Sequence, residues 1–377
     1  MRNILITGGA GFIGSRLALK LVDRGYDVTV LDTLSPQIHG PDPEASPLFR
    51  ALSDKVRFVK GSVTDRAAME DVLSGQEAVV HLAAETGTGQ SMYQIEHYTQ
   101  VNVGGTALML DILANRTRTV KRIVVASSRS IYGEGRYYSA ELGYVYPGGR
   151  TVDDMAAGDF DVKYPGATTP LELVGTDEES RIQPSSVYGI SKQVQEQLVM
   201  TVCPSIGIEG VAFRYQNVFG PGQSLSNPYT GILSIFSNLM MQGKPINVFE
   251  DGEESRDFVF VDDVVDATVL GVEHPAAADQ IFNVGTGVPV SVMTVAETLK
   301  RLLGADVPIA VSGNFRAGDI RHNFASMEKI ERLLGFTPNY DFERGIALFA
   351  EWARVTGAKP SRYEESLDEM RSKGLFK

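Results

Sequence analysis

Three groups of residues in this 377-residue chain could do chemistry. In Val125-Ala126-Ser127-Ser128-Arg129-Ser130-Ile131-Tyr132-Gly133 an apolar run stops at hydroxyls. Serines in such a place either form a turn or put a reactive hydroxyl at the tip of a buried strand. Tyr188 and Lys192 stand four apart, one turn along a helix face. An ammonium beside a phenol favours the phenolate, which makes an acid/base usable near neutral pH. Alone, that pair is an ordinary solvated helix face. Its meaning comes from the third group, Gly8, Gly11 and Gly14, spaced three apart between a β-rich run and a helical pattern. Glycines so spaced allow a tight turn, close approach of backbone to a pyrophosphate, and close helix–strand packing, with free N–H groups at the helix start. Asp32 follows 18 residues after Gly14. A carboxylate there accepts hydrogen bonds from an adenosine ribose and repels a 2′-phosphate, favouring NAD over NADP.

These groups need a scaffold, and the chain supplies a rhythm for one. The β-rich runs Asn3–Thr7, Asp27–Leu31, Val56–Val59, Ala78–His81, Arg122–Ala126 and Ile208–Phe213 alternate with helical patterns over Gly11–Arg24, Arg66–Leu73, Ser91–Asn115 and Ser185–Thr201. That alternation predicts an α/β protein with a Rossmann-type, doubly wound parallel sheet, covered by helices on both faces. Ligands of such sheets sit beyond the C-terminal strand ends, where Ser127 and Ser128 fall. After about residue 217 the rhythm changes: a helical run over Asn227–Met241, short strands at Ile246–Phe249, Phe258–Val261 and Ile281–Val284, and a helix over Ser291–Leu303. The expected organisation is a cofactor domain, residues 1–217, rejoined by segments near 257–284. A smaller C-terminal α/β lobe for the substrate takes 218–256 and 285–377. The final 20 or so residues, polar and charged, read as peripheral.

Residues 134–180 are out of character. They hold ten acidic residues against three basic ones, a net −7 within a chain of net −12. They also leave the chain just after Ser128 and rejoin it just before Tyr188, so an insert here borders the pocket. Loops this long are usually functional or mobile, and a lid or a partner-facing arm is expected. The acidic balance, with pI near 5.0, speaks against a nucleic-acid or anionic-membrane partner. One cysteine, Cys203, excludes a disulfide framework or a multi-cysteine zinc site and reads as a buried thiol. No apolar stretch nears the roughly 18 residues of a membrane span, and the chain runs straight into a strand and glycine loop without a secretory signal. It reads as cytoplasmic. His81, ending a buried strand, reads as a satisfied core histidine.

The order of several motifs is specific: the glycine loop, His81-Leu82-Ala83-Ala84, Asn102-Val103-Gly104-Gly105-Thr106, Ser127-Ser128-Arg129-Ser130-Ile131-Tyr132-Gly133, Tyr188 with Lys192, and the stretches 214–223, 255–263, 282–287 and 315–322. With these the chain resembles the extended short-chain dehydrogenase/reductase family, in particular its nucleotide-sugar epimerases and dehydratases, and among them 4-epimerases of UDP- and dTDP-sugars. The resemblance implies that Ser128 and Tyr188 hydrogen-bond the sugar 4-hydroxyl and that Tyr188 removes its proton. Lys192 then holds the nicotinamide ribose and tunes Tyr188. It further implies an NAD bed of Gly8, Gly11, Phe12, Ile13, Gly14, Asp32, Ser62, Val63, Leu82, Ala83, Ala84, Asn102 and Tyr215. Ser127, Asn217, Arg256, Arg316 and Asp319 are implied at the substrate, the two arginines gripping its diphosphate with fork-shaped donors. A homodimer through the helical segments 91–115 and 185–201 is implied as well. Two positions depart from the pattern: Ser62 stands where many relatives have aspartate, and Gln216 replaces an aromatic beside the nicotinamide.

Dehydrating relatives place an Asp-Glu pair where this chain has Arg129-Ser130. An arginine cannot give up a proton near neutral pH and a serine is a poor base. The resemblance therefore implies epimerisation at C4 through a 4-keto sugar. A dehydratase or reductase on the same scaffold, or a non-catalytic NAD-binding protein, are the alternatives. Some relatives carry cysteine pairs in the insert; Ser139, Tyr164 and Thr168 stand in that region here, and no metal is expected.

Overall fold

The computed structural model describes residues 1–229 and 231–377; Thr230, inside the helical run expected from Asn227, lies outside them. Seven strands, β1 (Asn3–Thr7), β2 (Asp27–Asp32), β3 (Arg57–Lys60), β4 (Ala78–His81), β5 (Arg122–Ser128), β6 (Glu209–Tyr215) and β7 (Gln280–Val284), pair in parallel in the order β7-β6-β5-β4-β1-β2-β3. Side chains alternate across a strand, so a strand apolar at every position must be dry on both faces. In β1, Ile4 and Ile6 enter one core and Leu5 the other; in β5, Val124 and Ala126 face one way, Ile123 and Val125 the other.

Two layers of helix meet that demand. Helix α1 (Phe12–Asp23) buries Leu17, Ala18 and Leu21 on the first face. Helices α2 (Arg66–Leu73), α3 (Gly105–Asn115) and α4 (Val187–Ser205) bury Met69, Val72, Met109, Leu113, Val199 and Cys203 on the second. Helix α5 (Val261–Glu273) adds Val264, Val265 and Val272 to the first. At roughly 1.5–3 kcal/mol for each buried aliphatic side chain, these layers fix where the strand ends lie. The order turns between β1 and β4, opening a crevice at their C-terminal ends.

The stretch expected as one helix over Ser91–Asn115 is broken. Short turns at Thr88–Ser91 and Ile95–Tyr98 lead into a widened π-type stretch, Thr99–Gly104, before α3 begins. The widening accompanies Asn102, fully buried and bonded to Glu85 and Ser191.

The smaller lobe has its own core, including Phe219, Phe258, Phe260, Leu299 and Phe349. Its central strand, Ser255–Phe260, pairs with Asn217–Phe219, Pro289–Ser291 and His322–Asn323. The helix Glu328–Leu334, in a stretch expected to belong to this lobe, packs Ile330 and Leu334 on the large sheet instead. The insert is no structureless loop: Tyr137–Ser139, Gly143–Val145 and Glu172–Leu173 form a small antiparallel sheet. Nor is the C-terminus peripheral. The helix Tyr363–Ser372 buries Tyr363, Leu367 and Met370 in the lobe core, and Phe315 and Lys377 exchange backbone hydrogen bonds of 2.9 and 3.0 Å. Apolar side chains spaced among charged ones carry the tail inward despite its polar composition. Among the described residues, no helix is long and apolar enough to cross a membrane.

Candidate active site

The glycine loop turns from β1 into α1. Gly8 has φ +70°, and a Cβ there would lie 2.8 Å from the Ala83 amide nitrogen; one on Gly14 would lie 2.4 Å from the Gly8 carbonyl oxygen. Two helices of this domain are capped by side chains: Asp65 accepts from the Ala67 amide at 2.9 Å on α2, and Ser186 from the Gly189 amide at 3.1 Å on α4. Helix α1 begins at Gly11 with no side-chain cap. Its first-turn amides, at Phe12, Ile13 and Gly14, stay available to an anion. At the end of β2, the Asp32 carboxylate accepts from the Ala10 and Leu34 amides at 3.0 and 2.8 Å, which fixes it beside the loop. Leu82, Ala83 and Ala84 continue β4 against the loop, with the Leu82 amide on the Thr7 carbonyl at 3.1 Å. Ser62 and Val63 follow β3 at the same edge, Val63 pressed on Gly105.

Ser127 and Ser128 are the last two residues of β5, not a turn after it. The Ser128 hydroxyl accepts from the Ser130 hydroxyl at 2.9 Å and the Ser130 amide at 3.2 Å. A serine oxygen accepts two hydrogen bonds and donates one. With both acceptor positions filled, the Ser128 proton is left to point outward as a donor. Burial pushes the Tyr188 phenol up, while a hydrogen bond with Ser128 and the charge of Arg129 pull it back. Arg129 thus adds a positive charge that favours the phenolate. Lys192, only 3 % exposed, donates to the Ala126 carbonyl at 2.9 Å, and burial lowers its ammonium to about 7. Its nitrogen lies 6.0 Å from the Tyr188 ring centre.

Two residues implied for the cofactor turn elsewhere. Tyr215 places its ring in the core, stacked on Phe213, and its hydroxyl pairs with Thr268 at 2.7 Å. Strand alternation sends that side chain toward α5, away from the crevice. The Asn102 amide is saturated by Glu85 and Ser191, so it holds the wall without a free donor. His81 is the core histidine expected, bonded to Thr7 and Thr106 at 2.8 and 2.9 Å and lowered by burial to about 3.

The lobe brings its charges to the same mouth. Arg256 donates to Asp319 at 3.1 Å and to the carbonyls of Ile320 and Arg321. Burial works against the Asp319 charge, but Arg256, Arg316 and Arg129 outweigh it and hold the carboxyl below its ordinary value. Arg316 lies over the Phe249 ring at 5.1 Å. Asn217 accepts from Arg129 Nε at 3.0 Å. Sequence reasoning missed Arg150, which the insert delivers to this wall. With its side chain only 2 % exposed, it forks onto Glu250 at 2.6 and 2.8 Å and reaches the Asp319 carbonyl at 3.1 Å. An arginine among the ten acidic residues of the insert was the one signal for it.

The arrangement fits a dinucleotide on the sheet side: uncapped amides, a cradle that a Cβ would fill, and Asp32 at the next strand end. Among the described residues, the Ser127 hydroxyl and both ends of the Gln216 amide are buried without hydrogen-bond partners. Buried polar atoms are rarely left so unless a ligand or water meets them.

The pattern of the NAD dependent epimerase/dehydratase family matches residues 4–147 and 163–285. A dTDP-L-rhamnose 4-epimerase of Burkholderia thailandensis is 38% identical, over 93% of this chain and 94% of its own. The crystal structure of a UDP-glucose 4-epimerase of Thermotoga maritima with UDP-glucose superposes with TM-score 0.74 at 29% identity, covering 94% of this chain and 99% of that one. A UDP-glucose 4-epimerase of Thermus thermophilus in complex with NAD gives 0.72 at 25% identity, covering 93% and 99%.

Proposed function

The chain belongs to the NAD dependent epimerase/dehydratase family, and from that premise we propose that it inverts C4 of a nucleotide-activated hexose, a dTDP- or UDP-sugar, through a transient 4-keto sugar. NAD is its cofactor; bound, it accepts and returns a hydride at the sugar carbon. The chain's own residues handle the proton and the oxygen. Tyr188 takes the 4-hydroxyl proton and gives it back, and the outward donor of Ser128 holds the oxygen while it is anionic or carbonyl. Lys192, at the foot of the same helix face, serves the cofactor ribose. Asn217, Arg256, Arg316 and Asp319 receive the diphosphate end.

One observation carries epimerisation over dehydration. Behind Ser128 stands a serine whose proton and amide both bond to Ser128, beside an arginine, with no carboxyl in either place. The next carboxyl along the chain, Glu134, accepts from the Arg321 amide at 2.8 Å and faces Arg150 at 3.5 Å, turned to the ion network. Incubation with a panel of dTDP- and UDP-hexoses, followed by NMR, tests the reading. The product should be inverted at C4 with its 6-substituent kept, a deuterium at C4 retained, and no external reductant consumed. Accumulation of a 4-keto-6-deoxy sugar, or stoichiometric loss of added NADH, overturns it in favour of a dehydratase or a reductase.

Two finer readings accompany it. Ile95 and Ile190, on the segments implied for dimerisation, are 54% and 50% exposed; this supports a homodimer, which a monomer mass by light scattering at micromolar concentration refutes. In the insert, Ser139, Thr168 and Thr169 all donate to the Glu141 carboxylate. Hydroxyls already committed to a carboxylate support an insert that needs no metal, and stoichiometric zinc by elemental analysis refutes that.

A further inference from the structure

Arg129 enters the proposed function only as the acid that is not there, yet its surroundings give it a task. Half-buried beside Ser128, it donates through Nε to Asn217, and neither terminal nitrogen has a hydrogen bond or ion pair among the described residues. The carboxylates around it are engaged elsewhere: Asp319 accepts from Arg256 at 3.1 Å and from the Ile320 amide at 2.9 Å, and Glu134 accepts from the Arg321 amide. Burial, and after it the like charge of Arg256, lower the Arg129 guanidinium to about 10. Arg316 acts on the same Asp319, and its Nε is buried with no partner among the described residues. Three guanidinium groups act on Asp319, and Glu134 is turned to the Arg321 amide and Arg150, so the terminal nitrogens of Arg129 are left without a carboxylate of their own. A partly desolvated charge without a partner is costly, so the place is built for an anion that the protein itself does not supply.

We propose that Arg129 is a substrate-binding residue that takes the sugar-proximal phosphate of the nucleotide sugar. The assignment rests on the nucleotide-sugar reading above. Arg256 and Arg316 come from the lobe, whereas Arg129 directly follows Ser128 and acts on Tyr188, which puts it at the sugar end of the diphosphate. With Nε tied to Asn217, its two terminal nitrogens are held in one plane, the geometry that matches two phosphate oxygens. Asn217 is then a positioning residue for that fork.

Calorimetric titration of the NAD-loaded protein with UDP, UMP, dTDP and dTMP separates the two phosphates. For whichever base the wild type binds, Arg129→Met should bind the diphosphate about 10–100-fold more weakly, the range for losing a charged hydrogen bond. The monophosphate should bind within about twofold of wild type, since it lacks the phosphate in question. Arg129→Lys should fall between, because a point charge replaces the fork only in part, and its retained NAD content shows the fold intact. Equal losses for mono- and diphosphate, or an unchanged diphosphate affinity, overturn the assignment while leaving the nucleotide-sugar reading in place. A wild type that binds none of the four nucleotides overturns both.

Discussion

On the sheet side of the cleft, the polar groups at the mouth are main-chain amides and strand ends, placed by β1, α1 and β2. On the lobe side they are long side chains from distant segments. Arg150 of the insert reaches Glu250, Arg321 joins Glu250 and Asp251, and the C-terminal residues pair with the chain at Phe315 beside Arg316. Backbone positions cannot adjust without moving an element, so the sheet side tolerates no added atom but needs no partner to hold it. Side-chain positions hold only while each charge is matched, so the lobe side is sensitive to single neutralisations and to pH. A dinucleotide that stays bound through both halves of a reaction suits the first kind of wall; a substrate that must leave suits the second.

Gly14→Ala presses that contrast hardest. Its Cβ would meet the Gly8 carbonyl oxygen at 2.4 Å and the Gly9 Cα at 2.7 Å, both backbone. NAD should vanish from denatured extracts of the purified variant, and activity with it. Retention of a full NAD complement means that the loop yields more readily than a backbone wall should.

Tyr188→Phe leaves both walls standing and removes only the proposed proton carrier between them. Turnover should fall by about 10²-fold or more, the usual scale for a positioned acid/base, with NAD content and nucleotide affinity unchanged. A loss of affinity instead of turnover places Tyr188 in binding.

Arg150→Met tests the lobe side alone. Removing it leaves the buried Glu250 with Arg321 alone, at 3.1 Å, and the Asp319 loop loses a support. Steady-state kinetics should show KM for the nucleotide sugar raised about tenfold, with kcat and NAD content nearly untouched. A matching fall in NAD content erases the distinction between the walls.

The smallest effect is one of pH. Burial, with Glu250 nearby, raises the Glu254 carboxyl to about 7 from an ordinary 4.5. The folded protein therefore holds this proton more tightly than the unfolded chain. Its stabilising contribution is complete below about pH 4.5 and is lost as pH rises through 7. Glu254→Gln carries no charge at any pH, so it should match the wild type near pH 4.5 and be more stable by roughly 1–3 kcal/mol at pH 8. Denaturant unfolding at both pH values measures it, and a gap that does not widen between them removes Glu254 from the pH-sensitive wall.

Much of the sheet side is legible in the residues themselves. Continuous apolar runs announce strands dry on both faces, three glycines at fixed spacing announce the loop, and Tyr188 with Lys192 needs only the pitch of a helix. These are local rules, and β1, α2 and β4 appear at the expected residues. The sequence by itself determined the fold class and the glycine turn, because each rests on spacings within one or two elements. Ser128, by contrast, joins Tyr188 and Lys192 only through the order of motifs that carries the family resemblance. Only the tertiary structure decided which way Tyr215 faces, that Asn102 is fully committed, that Arg129 gives its Nε to Asn217 88 residues on, and that Arg150 finds Glu250 across 100 residues. Such partners are chosen by how distant segments pack, and no local periodicity encodes the direction of a long side chain once its backbone is folded against another part of the chain.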